Sequence, residues 1–342
     1  MRMNEEHAIS NILIIKPGAI GDLLELTPVI RALSTKYPDV RISLLVGTNA
    51  TATLFQYHPL VHEVIVFDKR GEHRSLLSFL KLWKVLHSRK FDLVVHFQRS
   101  SLKTWILATA AIPCRILVYH KSRKEGVHVL DNYLETIAPL GIRGQERALE
   151  LYTGKEDDAF ADDLFLREGY GTGPVIALNP GASHAVNRWK AERFARLADV
   201  LAERVKANTI IIGGIEDTGL AESIAAAASS KPLVITGKTT LLQMGAVLRR
   251  CDLLISGDTG PLHLATAVGT RVLALFGAAD PARTGPVGTG HKVLQARNVT
   301  CVPCRSRECS NSIYLECMDG ISVQEVTDTV IDMLRKGHDG TV

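Results

Sequence analysis

Short apolar runs alternate with longer amphipathic stretches along the whole chain, and this alternation limits the possible folds more than any other feature. Strands that are each followed by a helix form parallel sheets, which helices cover on both faces. We predict strands near 12–15, 41–46, 64–67, 92–96 and 115–118, and again near 175–179, 209–213, 233–235, 252–256 and 271–276. The pattern therefore predicts an α/β protein with two doubly wound, Rossmann-like domains that face a ligand cleft.

The chain of 342 residues is long enough for two domains that each have a core. A polar stretch at 154–158 and a glycine-rich stretch at 169–174 are typical of a linker. We therefore expect a first domain over 1–160 and a second over 161–322. The remaining segment, 323–342, holds a predicted helix that is a candidate for packing back on the first domain.

Composition and charge narrow the classes of partner. Hydrophobic residues make up 46% and charged residues 22%, no run resembles a membrane span, and the first residues are too polar for a signal peptide, so we expect a cytoplasmic protein. The segment from Lys69 to Lys124 contains thirteen Lys or Arg residues and only two acidic residues. This excess of positive charge favours binding to an anionic lipid or membrane surface. A basic face without a partner is the alternative. The aromatic residues of this region show no nucleic-acid stacking motif, so we expect no nucleic acid.

The segment after the first predicted strand carries the first catalytic candidate. It reads Lys16-Pro17-Gly18-Ala19-Ile20-Gly21-Asp22 and places one carboxylate at a strand-to-helix turn, where open α/β proteins bind ligands. Asp22 is that candidate, and its alternative role is to cap a helix. Pro28 belongs in a first helical turn, so Thr27 is the better N-cap and Asp22 falls in a separate short turn.

Three loops at predicted strand ends of the second half are suited to a phosphate or a sugar. Residues 179–190 offer Ser183, Arg188 and Lys190, residues 213–217 offer Glu216, and residues 256–263 offer Asp258, Thr259, Gly260 and His263. Backbone N–H groups, hydroxyls and cations together can hold a diphosphate, and a helix N-terminus favours an anion. An ordinary turn, a first-turn acid and a buried structural histidine are the respective alternatives.

Three segments carry further information, namely K-P-G-A-I-G-D, N-P-G-A-S with R-W, and D-T-G-P-L-H-L-A-T-A-V-G-T followed by L-F-G-A-A-D-P-A-R-T-G-P. In these segments the chain resembles the ADP-heptose:lipopolysaccharide heptosyltransferases, glycosyltransferase family 9, and the likeness covers nearly the whole chain. The resemblance implies the GT-B architecture and an inverting transfer from a nucleoside-diphosphate sugar, usually ADP-heptose, to a lipid-linked sugar of the lipopolysaccharide core. It implies no metal or other cofactor for catalysis.

The resemblance also implies roles for single residues. Asp22 matches the general base, and Ser183 lies near the phosphates. Thr239 falls near the nucleoside wall. The segment that holds the donor sugar and diphosphate is matched by Asp258, Thr259, Gly260 and His263. The chain departs from the family at Asn187, where a lysine is usual, and Arg188 or Lys190 are candidates to replace that lysine.

The basic first half fits the acceptor that the resemblance implies. An anionic glycolipid, reached by peripheral contact with the inner membrane, would meet Lys16, Gly18, Arg99, Lys103, Lys121 and Arg123. Neutralising Arg99 and Lys103 is expected to weaken binding of such an acceptor.

Four of the six cysteines lie close together in the sequence, at Cys301, Cys304, Cys309 and Cys317. Four thiolates satisfy a tetrahedral zinc site, although only the first pair has the usual C-x2-C spacing. Structural zinc, reduced thiols or disulfides, and an iron-sulfur cluster remain alternatives, and none of them would be catalytic.

Three other functions remain open from the residues. The first is another sugar-nucleotide enzyme of the same fold, such as a transferase with a different donor or an epimerase. A nucleotide-binding oxidoreductase is the second, although the chain lacks a G-x-G-x-x-G fingerprint after its first strand. A non-catalytic nucleotide-binding protein is the third, and Asn187 is its best support.

Overall fold

The computed structural model describes residues 9–98, 101–122, 124–170 and 172–338. The chain forms two compact units, Met1–Arg147 and Ala148–Val342. The boundary therefore lies before the predicted division at 160. In the part of the chain that the structure describes, no helix has both the length and the apolar character needed to cross a membrane.

Unit 1 is built around a five-stranded parallel sheet. Its elements are β1 (Asn11–Ile15), α1 (Ile20–Leu24), α2 (Thr27–Lys36), β2 (Arg41–Val46), α3 (Asn49–Ala52), β3 (Glu63–Val66), α4 (Leu76–Ser88), β4 (Leu93–His96), α5 (Leu102–Ala108), β5 (Arg115–Val118) and α6 (Val129–Ile137). The strand order is β3-β2-β1-β4-β5. Ile12 to Ile15 of the central strand are fully buried, as expected for a strand that helices cover on both faces.

Unit 2 repeats this plan with a six-stranded parallel sheet. Its elements are α7 (Lys155–Glu168), β6 (Val175–Asn179), α8 (Ala191–Val205), β7 (Asn208–Ile211), α9 (Thr218–Ala227), β8 (Leu233–Val234), α10 (Leu241–Arg249), β9 (Leu253–Gly257), α11 (Gly260–Ala267), β10 (Val272–Phe276), α12 (Pro281–Thr284), β11 (Lys292–Gln295), α13 (Glu316–Asp319) and α14 (Val323–His338). The order is β11-β10-β9-β6-β7-β8.

Each sheet has a point at which the strand order reverses. In unit 1, β1 pairs in parallel with β2 on one side and β4 on the other. In unit 2, β6 pairs with β7 and β9 in the same way. Loops that leave such strands diverge to opposite faces of the sheet and leave a crevice for a ligand. The loop that carries Asp22 leaves β1, and two of the predicted phosphate loops leave β6 and β9.

Three elements differ from the sequence-based expectations. Residues 155–168 form α7 rather than a linker, with Gly154 as N-cap and three acids in the first turn. Strand β11 was not predicted. Helix α14 buries Val326, Val330 and Met333 in the core of unit 2, so that it belongs to this unit and is not a separate segment.

The predicted break between Asp22 and the next helix is present, because α1 ends at Leu24 and α2 begins at Thr27. Leu26 rather than Thr27 is the N-cap, and Pro28 lies in the first turn as expected.

Candidate active site

The Asp22 carboxylate is held from three directions in unit 1. Its Oδ1 accepts a hydrogen bond from the Tyr133 hydroxyl at 2.7 Å and pairs with Lys16 Nζ at 3.2 Å. Its Oδ2 accepts from the backbone N–H of Ala19 at 3.0 Å, so the side chain does cap the short helix α1. The side chain is still 36% exposed. Asp22 is therefore a fixed carboxylate that a ligand can reach, and capping does not exclude a catalytic role.

Tyr133 was not predicted as a site residue. It lies on α6, is 2% exposed, and packs edge-on against Phe97 and Tyr119. Burial raises the pKa of its hydroxyl, and the nearby Asp22 carboxylate raises it further, so Tyr133 stays protonated and donates to Asp22. The ammonium of Lys16 lies 5.4 Å from the centre of the Tyr133 ring. Since 111 positions separate Tyr133 from Asp22, no local motif links them.

Asn179 joins the two central loops of unit 2. This buried residue ends β6, and its Nδ2 donates to Ser256 Oγ and to Thr259 Oγ1, each at 2.9 Å. Thr259 is the N-cap of α11, so its hydroxyl is fixed where the helix begins. Backbone N–H groups at such a helix N-terminus attract anions. Asn179 and Ser256 position this turn, and neither was among the predicted site residues.

Two glycines lie where the loops after β6 and β7 approach each other. A Cβ at Gly181 would lie 2.2 Å from Asp217 Oδ2, and Gly213 has a φ of +156° that side-chain-bearing residues rarely adopt. The predicted Glu216 folds its carboxylate over Gly214 in the same turn. Thr239 lies after β8, and its hydroxyl is buried and has no hydrogen-bond partner among the described residues.

Asp258 follows β9 and lines a cavity of about 220 Å³. Burial raises the pKa of its carboxyl to about 6, partly offset by a hydrogen bond from Thr284. Asn187 lines the same cavity, and its backbone carbonyl packs against Gly257. His263 is buried in the first half of α11, 6% exposed. The cavity is therefore lined by a carboxyl group with a raised pKa, Asp258, and by the neutral amide side chain of Asn187.

The remaining predicted donor residues face different partners. Arg188 donates through Nε and Nη2 to the carbonyl oxygen of Ala182 at 2.8 and 2.5 Å. Lys190 pairs with Asp319 at 2.8 Å. Ser183 is exposed in the loop after β6, and Gly260 opens α11.

The acceptor candidates are spread over unit 1. Lys16 is buried beside Asp22, and Gly18 lies in the same loop with a φ of +152°. Lys103 on α5 and Lys121 after β5 are exposed. Arg99 and Arg123 lie outside the described residues.

The predicted zinc site is not assembled. All four cysteine thiols are free, with Cys301 and Cys304 exposed and Cys317 buried. In the described ranges, no group of three or more His, Cys, Asp or Glu side chains is arranged to hold a metal ion. Cys309 Sγ instead accepts a hydrogen bond from the backbone N–H of Leu315 at 3.3 Å.

Comparisons with known proteins give one family. The model of "Glycosyltransferase family 9 (heptosyltransferase)" matches residues 79–315. The chain is 27% identical to the lipopolysaccharide core heptosyltransferase OpsX of Haemophilus influenzae over 297 residues, 82% of either chain.

Solved structures show the same fold. A glycosyltransferase family 9 protein from Veillonella parvula superposes with a TM-score of 0.86 at 23% identity, covering 96% of this chain and 98% of that one. The Escherichia coli heptosyltransferase WaaC, solved with ADP, superposes with a TM-score of 0.69 at 17% identity, covering 94% and 99%. These likenesses confirm the predicted pair of parallel-sheet α/β domains.

Proposed function

Because the chain belongs to glycosyltransferase family 9, the heptosyltransferase family, we propose that it transfers heptose from ADP-heptose to a sugar hydroxyl of a lipopolysaccharide-type glycolipid. The observation that carries this function is the Asp22 carboxylate, fixed by Lys16 and Tyr133 yet open to solvent at the switch point of unit 1. Support for the donor comes from the WaaC structure, which was solved with ADP.

In this mechanism Asp22 is the general base. The acceptor oxygen attacks the anomeric carbon of the donor while the carboxylate takes the hydroxyl proton. The bond between the anomeric carbon and the phosphate oxygen breaks, and its electron pair leaves with the nucleoside diphosphate. Attack opposite to the leaving group inverts the anomeric configuration. Lys16 and Tyr133 keep the carboxylate oriented during this step.

Unit 2 is proposed to bind the donor. Thr259 and the N-terminus of α11 meet the diphosphate, together with Ser183 of the loop after β6. Glu216 is placed to accept hydrogen bonds from the ribose, and Thr239 lies on the nucleoside side. Asp258 and His263 contact the sugar. The role of Asp258 is supported by the cavity that it lines, and the role of Thr259 by its hydroxyl, which Asn179 fixes at the start of α11.

The test of the base is turnover of ADP-heptose with a heptose-deficient lipopolysaccharide acceptor. Asp22→Asn keeps the shape of the side chain and removes the proton acceptor, so we expect kcat to fall by about 10²–10⁴ with donor binding unchanged. Asp39→Asn, an exposed carboxylate on the same unit, is the matched control. An Asp22→Asn enzyme with wild-type turnover would show that Asp22 is not the base. Equal rates with and without EDTA are expected for the metal-independent step.

A second donor remains a candidate because Asn187 is neutral where the family resemblance implies a lysine. Calorimetric titration with ADP, UDP and GDP separates the possibilities. We expect ADP to bind more tightly than UDP and GDP. The Asp258→Ala variant should bind the sugar nucleotide more weakly than wild type does. Preference for UDP or GDP would keep the fold and change the donor, whereas no binding at all would point to a protein without transferase activity.

We also propose that unit 1 contacts an anionic membrane surface, where the glycolipid acceptor is presented on the inner face of the cell membrane. Leu76 and Leu77 on α4 and Leu102 on α5 are each 73–76% exposed. The indole N–H of Trp83 on α4 donates to Thr109 Oγ1, just after α5, and so joins the two helices. Exposed lysines lie on both helices, namely Lys81, Lys84 and Lys103. Exposed leucines and lysines on the same two helices fit the interface of an anionic bilayer.

Sedimentation with vesicles tests this surface. Wild-type protein is expected to pellet with phosphatidylglycerol vesicles and less with phosphatidylcholine vesicles. A Leu76→Ser, Leu77→Ser variant should bind at least about tenfold more weakly, since burying one leucine contributes about 1.5–3 kcal/mol. Leu166→Ser, at an 81% exposed position on α7, is the control. Equal pelleting of the two variants would exclude this docking face.

A further inference from the structure

The cavity beside Asp258 is lined by three segments that are distant in the sequence. Residues 184–187 follow β6, residues 279–284 follow β10 and include α12, and residues 305–307 belong to the cysteine-bearing loop. Asn187, the neutral residue at the position where a lysine was expected, forms part of the first wall. A ligand with a diphosphate in this cavity needs positive charge from one of the other segments.

The two cations that were predicted to replace the lysine are engaged elsewhere. The guanidinium of Arg188 is bound to the carbonyl of Ala182, where it closes its own loop. Lys190 is paired with Asp319. Neither of them lines the cavity. The segment after β6 therefore brings no arginine or lysine side chain to the cavity wall.

Three arginines line the cavity from the other two segments, at Arg283, Arg305 and Arg307. Arg305 is already neutralised, because it pairs with the Asp280 carboxylate at 2.6 Å. Arg307 is exposed, where solvent screens its charge. Arg283 is half-buried in α12 and has no ion-pair partner among the described residues. Its neighbour Thr284 bonds the Asp258 carboxyl, which fixes α12 against the cavity.

On the basis of the function proposed above, we propose that Arg283 binds the donor diphosphate and stabilises the negative charge of the departing nucleoside diphosphate. When the anomeric bond breaks, its electron pair passes to the phosphate oxygen, and the leaving group gains one negative charge. A guanidinium can donate two parallel hydrogen bonds to phosphate oxygens and cannot lose its proton. Arg283 would supply this positive charge from the segment after β10, where the segment after β6 has the neutral Asn187.

Calorimetry with ADP and adenosine as the probes tests the binding part. Arg283→Ala is expected to weaken ADP binding at least about tenfold, because it removes charge-assisted hydrogen bonds to the phosphate oxygens. Adenosine, which has no phosphate, should bind equally to both proteins. Arg283→Lys keeps the charge, and its affinity for ADP should lie between those of wild type and Arg283→Ala. With ADP-heptose as donor, kcat of Arg283→Ala should fall by about 10²–10³, as for other groups that stabilise developing charge.

A compensating variant makes the test specific. Asn187 and Arg283 line the same cavity, so Asn187→Lys in the Arg283→Ala background should recover at least part of the ADP affinity and of kcat. Arg196→Ala, an exposed arginine on α8, is the matched control and should behave as wild type. Recovery by a lysine at another wall cannot result from a folding defect of the single variant.

The outcomes separate this role of Arg283 from the choice of donor. Wild-type protein that binds UDP or GDP instead of ADP overturns the ADP-heptose donor, and the same variants are then measured with that nucleotide. Wild-type affinity and kcat in Arg283→Ala overturn the role of Arg283 while leaving the transferase intact. Equal losses of ADP and adenosine binding, without recovery by Asn187→Lys, would also overturn it, because they indicate a damaged pocket rather than a lost charge.

Discussion

At the scale of single residues, Asp258 shows how a ligand site costs stability. Burial raises the pKa of its carboxyl from 3.8 to about 6. Below pH 4 this carboxyl is protonated in both the folded and the unfolded state and costs nothing. As the pH rises from 3.8 to about 6, the unfolded chain loses this proton while the buried carboxyl keeps it, so stability falls across this range and is lowest once the buried carboxyl has ionised. The ionised carboxylate that we propose contacts the donor sugar is therefore maintained at the expense of the fold.

Asp258→Asn should consequently stabilise the protein near pH 8 and weaken binding of the donor. The gain in unfolding free energy is expected to be on the order of 2–3 kcal/mol at pH 8 and to vanish near pH 4. Thermal unfolding of both proteins across this range measures it. Asp163→Asn, an exposed carboxylate on α7, should show no such gain. Equal stability of Asp258→Asn and wild type at pH 8 would show that this carboxyl is not buried as described.

Tyr133 leads to a second prediction at this scale. Tyr133→Phe removes the hydroxyl that donates to Asp22 Oδ1 and leaves the buried ring in place. We expect kcat to fall about ten- to a hundredfold, since a hydrogen bond to a charged group contributes about 1.5–3 kcal/mol. The KM for the donor should not change. Tyr152→Phe, which removes an exposed hydroxyl in unit 2, is the control. A change in donor KM alone would contradict a positioning role toward Asp22.

At the scale of elements, periodicity predicted the strands well, because buried parallel strands are short runs of apolar residues. Strands β1, β2, β5 and β6 lie within one residue of their predicted bounds. Helix α7 was missed because acids that complement its N-terminus resemble a polar linker. Strand β11 was missed because its four residues include a lysine and a glutamine at the edge of the sheet.

The candidate site was predicted only where its residues share a loop. Asp22 and Asp258 follow central strands, so the sequence pattern identified them directly. Tyr133 reaches Asp22 from a distant helix, and Arg283 reaches the Asp258 cavity from the segment after β10. Such pairs depend on tertiary packing that no local motif encodes.

Helix α14 yields a prediction at this scale. Met333 is 3% exposed and packs in the core of unit 2 with Val330 and Leu334. Met333→Ala should lower the free energy of unfolding by about 2–5 kcal/mol, as expected when a large buried side chain is truncated. Denaturant unfolding measures the change. Lys336→Ala, an exposed residue on the same helix, should have little effect. Equal stabilities of the two variants would show that α14 is not part of this core.

At the scale of the whole molecule, the two units have separate cores, so ligand binding should stabilise them separately. One cluster of buried side chains is drawn from residues between Leu13 and Ala111, and the other from residues between Ile176 and Leu334. The proposed donor residues all lie in the second unit. A ligand at one hundred times its dissociation constant stabilises the fold that binds it by about 2.7 kcal/mol. ADP should therefore raise the unfolding temperature of unit 2 and leave that of unit 1 unchanged.

Differential scanning calorimetry tests this division. Met333→Ala identifies the transition of unit 2, because its cavity lies in that core alone. ADP should shift this same transition in wild type and in Asp22→Asn, since the base lies in unit 1, and shift it less in Arg283→Ala. A single transition that moves as a whole with ADP would show that the units unfold together. Selective stabilisation of unit 2 would show instead that donor binding and the Asp22 base are properties of separately folded units.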